Sequence, residues 1–320
     1  MSFRMAPIGF VNDILSQVNA IRQELLGQNP PDTLFHYTTL QGVVGITSSR
    51  IVRAMSVASL KDSSEIHYGV NLVETEVERK SHEEISQAAK AILSQLGAEL
   101  KSRISRTFVA CFCASPASEF HWDSYGPYCL RFETDGNREP LLRVSVSGAQ
   151  VGYFKAIYAE ASQQSAIKRA LSAVIAAVEQ HTLGALEGPW AESMIRFLAR
   201  NASELLLDII VSFKKAEFWR DEEWRLVVRP NSALSSSAPD MADRNFDILV
   251  KRETKEYVEL QIIRPPMLFQ SVAMRSPVPF AAVVQSPFRN DSRELNIIER
   301  VLNKNYRADI SVKRAPNPNL

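Results

Sequence analysis

The sequence predicts an α+β protein whose core is a mixed, largely antiparallel β-sheet with helices inserted as blocks. Strand-like segments occur in neighbouring groups and do not alternate one by one with helices, which argues against a doubly wound nucleotide-binding fold. Neither G-x-G-x-x-G nor G-x-x-x-x-G-K-[ST] occurs, so phosphate-binding loops of those two types are absent. The 320 residues, 45% of them hydrophobic, can bury a sizeable core.

The first third of the chain is predicted to be mainly helical around two short strands. Apolar residues recur at helical spacing from Phe10 to Leu25, and Gly27 is the expected stop. Thr38 or Thr39 is expected to cap the helix that follows it. Taken in order, this part is predicted to contain a helix at 10–27, strands at 34–38 and 51–55, and helices at 39–46, 63–80 and 83–104.

The rest of the chain supplies most of the predicted sheet. The apolar runs RTFVACFC and PYCLRFET indicate buried strands, and strands are also predicted in LLRVSVSG, VGYFKAIYA, DIIVSFK, EWRLVVRP, FDILVKRE, YVELQI, AAVVQ and ADISVKR. Helices are predicted at 162–183, 189–207 and 291–304. The Ser-rich segment at about 230–244 is interpreted as a flexible hairpin loop.

We therefore expect residues 1–30 to be an N-terminal helical extension and residues 31–315 to form a single α+β domain. The extension could dock on the domain or mediate self-association, and the sequence does not choose between the two.

Charge and cysteine content narrow the class of protein. Lys plus Arg number 37 and Asp plus Glu number 36, so no global field attracts nucleic acid or an anionic membrane. No signal peptide or membrane span is visible, and three cysteines suit a reducing compartment. We expect a cytoplasmic protein without membrane partners. Two thiols in a C-x-C are a poor zinc site, so no metal is predicted.

Two early groups of polar residues are candidates for ligand binding. His36, Tyr37 and Thr38 end an apolar strand, where hydroxyls and an imidazole suit a polar ligand such as a ribose. A lone strand histidine is nevertheless more often a satisfied core residue. The second group is Asp62, Glu65, His67 and Tyr68. A carboxylate in a first helical turn accounts for Glu65 by itself, but not for its polar neighbours.

Two later groups combine aromatic and acidic residues. The segment FHWDSYG places His121, Trp122 and Tyr125 in a predicted connecting loop, where they could cover the core or stack on a ligand. The segment RDEEWR would place Asp221, Glu223 and Arg225 on one face if the chain is already extended there. A Glu–Arg surface pair of little energetic consequence is the simpler interpretation of that last group.

In this order, the motifs resemble a large bacterial family known as a domain of unknown function, number twenty-nine seventy-one. The family carries H-Y-T, N-D-x-x-E with Y-G, C-F-S, W-x-x-Y-G and K…F…E-x-E-W-R. The corresponding residues here are His36-Tyr37-Thr38, Asp62 and Glu65 with Tyr68-Gly69, Cys111-Phe112, Trp122 with Tyr125-Gly126, and Lys214 or Lys215 with Phe218 and Asp221 through Arg225. Lys61 replaces the usual Asn, and Asp221 replaces the first Glu of E-x-E.

The layout of these motifs also looks, distantly, like that of ADP-ribosyltransferases, with an early strand His, a middle aromatic residue and a late Glu. That analogy implies an ADP-ribosyltransferase-like or NAD-hydrolysing enzyme that uses NAD as its substrate and cleaves the nicotinamide–ribose bond, as a toxin or antiphage effector. The acceptor could be a protein, a nucleic acid, a small molecule or water. The implied catalytic residues are Glu223, His36 and Tyr125, with Tyr68 as the alternative to Tyr125.

The same analogy implies further contacts to the nucleotide and the acceptor. Asp221 would contact the acceptor substrate. The residues implied to bind NAD are His36, Tyr37, Thr38, Asp62, Glu65, Tyr68, Trp122 and Arg225.

Two other function classes stay open at the level of sequence. A metal-dependent nuclease or phosphoesterase would use His36, Asp62, Glu65, His67 and Glu223. A non-catalytic ligand sensor or interaction module would use the aromatic segment to bind its partner. The NAD hypothesis requires His36, Tyr125 and Glu223 to line one cleft.

Overall fold

The chain divides into two compact units, each assembled from separate stretches of sequence. In the computed structural model, the helical unit comprises Met1–Gln28, Val57–Thr107 and Ala156–Phe218, and the sheet unit comprises Asn29–Ser56, Phe108–Lys155 and Trp219–Leu320. The first helix is therefore part of a larger helical unit. The sequence instead predicts that this helix is an extension that precedes a single domain. The structure describes residues 8–60, 64–116, 119–133, 142–143, 149–181, 191–230, 246, 249–262, 282–289, 291–305 and 311–315.

The α+β class is confirmed, with helices and a mostly antiparallel sheet. Among the described residues the helices are α1 Ile8–Leu26, α2 Leu40–Ser49, α3 Ser64–Ser81, α4 Gln87–Ile104, α5 Glu119–Tyr125, α6 Glu160–His181, α7 Ala191–Val211 and α8 Ser292–Asn305. The strands are β1 Thr33–Thr38, β2 Ile51–Ser56, β3 Phe108–Cys113, β4 Tyr128–Glu133, β5 Leu142–Arg143, β6 Ala149–Lys155, β7 Glu223–Pro230, β8 Val250–Arg252, β9 Glu256–Ile262, β10 Ala282–Gln285 and β11 Ser311–Arg314. Two 3₁₀ helices span Val57–Ser59 and Ala216–Asp221.

The helical unit is organised around α7, which packs against α4 and α1. Every residue of α7 from Ala202 to Val211 is buried. The prediction of a strand in DIIVSFK is wrong, because Asp208–Val211 are the last turn of this helix. An apolar run of that length cannot be assigned to strand or buried helix by periodicity alone.

Within the described residues, the eleven strands of the sheet unit form one sheet with the path β11-β10-β4-β1-β3-β2-β9-β5. Strand β3 also pairs along its whole length with β7, which in turn pairs with β6. Only β10 and β11 are parallel among the described strand pairs. The main core covers one face of the sheet, where β-strand residues pack with α2 and α8.

The turn between β1 and α2 follows the predicted chemistry. Thr39 is the N-cap of α2, and its hydroxyl accepts a hydrogen bond from the Gly42 amide. Thr38 Oγ1 occupies the space where a Cβ on residue 42 would lie, which explains a glycine inside this helix. The predicted loop at about 230–244 lies outside the described residues beyond Pro230.

Candidate functional site

Pairing of β3 with β7 selects which side chains meet on the sheet face opposite the main core. Cys113 lies opposite Glu223 and Cys111 opposite Arg225, in an antiparallel register. Directly opposed residues project to the same face with Cβ atoms about 5 Å apart. The intervening Phe112 and Trp224 project into the main core instead.

The carboxylate of Glu223 is buried together with the guanidinium of Arg225. Arg225 Nε donates a hydrogen bond to Glu223 Oε1 at 2.5 Å, and both side chains are almost fully covered. The period of two along β7 puts both on one face. This pair is therefore not the exposed surface pair that the simpler interpretation of the sequence suggested.

Asp221 lies in the same region, but it is not in the extended segment that the sequence predicts. The chain is not yet extended there, because Asp221 ends a 3₁₀ helix and Glu222 has φ of +43°. The Glu222 carbonyl accepts a hydrogen bond from the Ala114 amide at 3.1 Å, which ties this kink to the end of β3. The kink leaves Asp221 buried and Glu222 exposed.

His121 joins Cys113 to Asp221. Its Nε2 lies 3.1 Å from Cys113 Sγ and 3.7 Å from Asp221 Oδ1. The thiol is 4% exposed, the imidazole 2% and the carboxylate 3%. The sequence predicts His121 only as part of an aromatic segment with no assigned role, and it predicts Cys113 as a residue of a buried strand.

Aromatic rings surround this imidazole. Tyr37 stacks on His121 with ring centroids 4.7 Å apart and planes at 21°, and Trp122 meets Tyr37 edge-on at 4.7 Å. Tyr125 packs against His121 at 5.6 Å and is 43% exposed. The predicted connecting loop is in fact the short helix α5, which packs against β1.

These side chains form the aromatic–acid cluster, a set that lies wholly within the sheet unit. Its members are Tyr37, Cys113, His121, Trp122, Tyr125, Asp221, Glu223 and Arg225.

His36 and Thr38 lie on the other face of the sheet, so the expected single cleft with His36, Tyr125 and Glu223 is not formed. His36 lies opposite Leu130 and packs against Phe112, and both of these residues belong to the main core. Its Nδ1 contacts the Cys111 carbonyl oxygen at 2.9 Å. Burial lowers the pKa of His36, an effect that this hydrogen bond partly offsets. His36 is partly buried, and its hydrogen bond and packing are those of a satisfied structural histidine.

The second predicted group belongs to the helical unit. Glu65 is buried in the first turn of α3, and its Oε1 accepts a hydrogen bond from the Lys215 amide at 3.4 Å. Burial, followed by the charge of Glu160, raises the pKa of Tyr68. Residues two apart on a helix do not face each other, so Glu65 and the exposed His67 do not converge. Asp62 lies outside the described residues.

Comparison with known proteins adds no family. No family model matches the chain, and neither a curated protein nor a solved structure matches it. Among the described residues, no group of three or more His, Cys, Asp or Glu side chains is arranged to hold a metal ion. Within the same part of the chain, no helix is long and apolar enough to cross a membrane.

Proposed function

We propose that the aromatic–acid cluster binds NAD, or a nucleotide like it, and cleaves its nicotinamide–ribose bond. The observation that carries the proposal is the buried carboxylate of Glu223, held at 2.5 Å by Arg225 on the same sheet face as the rings around His121. Consumption of NAD by transfer or hydrolysis would suit a toxin or an antiphage effector in which the acceptor is a macromolecule or water.

Glu223 supplies the charge that this reaction needs. Departure of nicotinamide leaves an oxocarbenium-like ribose, the same developing positive charge that glycosidases stabilise with carboxylates. A carboxylate that is already oriented and shielded from water stabilises such a charge more strongly than one in bulk solvent. The hydrogen bond from Arg225 Nε holds the Glu223 carboxylate in one rotamer while both side chains are buried.

The rings supply binding surface for the nicotinamide. Tyr125 combines an exposed face with packing on His121, so it offers a flat surface to a planar heterocycle at the rim of the cluster. Tyr37 and Trp122 are buried and hold the imidazole and α5 in place. His36 has no role in this proposal, because its ring lies on the opposite face of the sheet.

Release of nicotinamide from NAD tests the proposal directly. Purified protein is incubated with NAD, and free nicotinamide is measured by liquid chromatography. Glu223→Gln keeps the volume and a hydrogen-bond acceptor but removes the charge, and we expect release to fall about 100- to 1,000-fold, as when one preorganised electrostatic group is removed from an active site.

Glu222→Gln is the matched control, since it makes the same change one residue away on an exposed side chain. It should retain wild-type release and wild-type melting temperature. Equal release by wild type and Glu223→Gln would remove Glu223 from the mechanism. Absence of turnover together with no NAD-induced shift in melting temperature would reject the proposed function.

A further inference from the structure

Two large aromatic side chains of the sheet unit are exposed beside the aromatic–acid cluster. Tyr125 is 43% exposed and Trp219 is 61% exposed, the largest value for a large apolar side chain among the described residues. The proposed function uses Tyr125 as the surface for nicotinamide and gives Trp219 no role. A single exposed apolar residue needs no function by itself, so any role for Trp219 depends on what surrounds it.

The backbone of Trp219 is tied to the segment that carries Glu223. The Trp219 carbonyl accepts a hydrogen bond from the Glu222 amide at 3.4 Å. The Glu222 carbonyl in turn accepts a hydrogen bond from the Ala114 amide at 3.1 Å, just after the end of β3. Trp219 is therefore an exposed ring on a held backbone, a few residues before the carboxylate on which the proposed function depends.

Trp219 and Tyr125 flank the cluster from two different elements. Asp221 belongs to the same 3₁₀ helix as Trp219, and its Oδ1 lies 3.7 Å from His121 Nε2. The His121 ring packs against Tyr125 with centroids 5.6 Å apart. Two buried side chains of the cluster thus link the segment of the exposed indole to the exposed phenol. A ligand with two planar rings on a flexible linker finds a surface for each ring here.

Arg220 adds a positive charge next to the indole. Its Cζ lies 5.5 Å from the centre of the Trp219 ring, which is within the range of a cation–π contact. A guanidinium carries its N–H donors in a planar fork that matches phosphate oxygens. Most of the indole stays accessible with this arginine in place, because Trp219 is still 61% exposed. A ring for stacking beside a cation for phosphate is the combination that binds nucleotides.

We propose that Trp219 and Arg220 bind the adenosine diphosphate half of a dinucleotide, with adenine stacked on the indole and the diphosphate on the guanidinium. The two fused rings of an indole overlap more of the two fused rings of adenine than a phenol does, whereas nicotinamide is a single ring that suits Tyr125. Placement of the nicotinamide half rests on the proposed function. The substrate class of the cluster is thereby narrowed from nucleotides in general to adenine dinucleotides.

Calorimetric titration with adenosine diphosphate tests this binding site without any catalysis. Trp219→Ala should raise the Kd about ten-fold or more, the size expected when one base-stacking contact is lost. Trp219→Phe keeps an aromatic face and should raise it less. Arg220→Gln should weaken binding of adenosine diphosphate but not of adenosine, because only the diphosphate contacts the guanidinium.

Ile297→Ala is the matched control, since it also truncates an exposed apolar side chain of the sheet unit. Ile297 belongs to α8, which packs on the main core and therefore on the sheet face opposite the cluster. This variant should bind adenosine diphosphate like wild type. The Trp219 and Arg220 variants should keep the wild-type melting temperature, because both side chains are exposed.

Nicotinamide release then connects this site to the proposed function. Trp219→Ala should raise the KM for NAD about ten-fold and leave the KM for nicotinamide mononucleotide unchanged, because the mononucleotide lacks the adenosine that would stack on the indole. The kcat for NAD should change little, since Glu223 is intact and the lost contact is to a remote part of the substrate.

Equal affinity of wild type and Trp219→Ala for adenosine diphosphate, or no binding of it by wild type, would overturn the inference. Binding that depends on Trp219, without release of nicotinamide from NAD, would support this site and remove the cleavage reaction. Release from NAD with the same KM in wild type and Trp219→Ala would support the cleavage reaction and overturn the role of Trp219. The two failures are therefore distinguishable.

Discussion

In the helical unit, buried acids face arginines from distant helices, whereas in the sheet unit Glu223 faces an arginine of its own strand. Arg22 of α1 lies 3.0 Å from Asp208 of α7, and Arg103 of α4 lies 2.8 Å from Glu204 of α7. These two pairs join segments about a hundred or more residues apart. The contact between Glu223 and Arg225, in contrast, links two residues of the same strand, β7.

The difference separates two uses of a buried charge. A pair that crosslinks distant helices favours one arrangement of the fold over others, and losing one partner leaves a buried charge uncompensated. Two residues that are two positions apart on one strand are already close in the unfolded chain. Their contact therefore stabilises the folded state relative to the unfolded state less than a contact between distant helices does. The mutual contact of Glu223 and Arg225 is therefore expected to contribute less to assembly of the fold than the two pairs of the helical unit.

The largest expected effect is that of Asp208→Asn on stability. The amide cannot neutralise Arg22, and we expect the free energy of unfolding to fall by about 3–5 kcal/mol, the usual cost of removing one partner from a buried ion pair. Glu223→Gln, the same change of acid to amide, should cost clearly less. Urea unfolding monitored by circular dichroism measures both, and equal losses would show that the two pairs serve the fold alike.

Gly126→Ala is expected to have the next largest effect, and it acts within the sheet unit. Gly126 has φ of +124°, and a Cβ there would lie 2.5 Å from the Thr38 carbonyl oxygen. We expect a loss of about 1–3 kcal/mol in the free energy of unfolding, and displacement of the neighbouring Tyr125 from His121.

Gly45→Ala is the control for that substitution, because a Cβ on this residue of α2 meets nothing within 4 Å. Replacing a helical glycine with alanine should raise stability by about 0.5–1 kcal/mol. A stable Gly126→Ala variant would mean that the left-handed backbone at the end of α5 is not required.

The smallest expected effect is the pH-dependent one of His36→Asn. The folded pKa of His36 is lowered by burial below 6.5, so the unfolded chain takes up the proton first as pH falls. Its contribution to stability is complete above about pH 6.5 and is lost as pH falls from there toward the lowered pKa. Asparagine can keep the hydrogen bond to the Cys111 carbonyl without titrating.

We expect the melting temperature of wild type to fall more between pH 7 and pH 5 than that of His36→Asn, and nicotinamide release to be unaffected by the substitution. If His36→Asn instead lost nicotinamide release, and its melting temperature fell with pH as much as that of wild type, this histidine would have a role in the site.

Periodicity and capping residues were sufficient to predict most elements. Strands β1, β3, β4, β7 and β9 occur within one or two residues of their predicted bounds, and Thr39 caps α2 as expected. Two errors have physical causes. The run Asp208–Val211 is buried on all sides, so it has no helical stripe to detect. Helix α5 is only seven residues long, too short to show a periodic pattern among its aromatic residues.

The residues of the candidate site were likewise predictable from the sequence only in part. Local sequence indicated that Tyr37, Trp122, Tyr125, Asp221, Glu223 and Arg225 needed a common explanation, and these residues do lie in one unit on or beside one sheet face. The division into two units could not be predicted from local patterns. Glu65 and Tyr68 fall in the helical unit because the chain leaves the sheet at Ser56 and returns at Phe108.

By itself the sequence determined the α+β class, the main strands, the cap of α2 and the acids and rings of the candidate site. The tertiary structure alone decided the face on which each side chain lies. Alternation along β1 placed His36 on the face of the main core and Tyr37 on the opposite face, and the β3–β7 register set Cys113 opposite Glu223. In a strand of period two, a shift of one residue moves a side chain to the other face, and only pairing with distant strands fixes that choice.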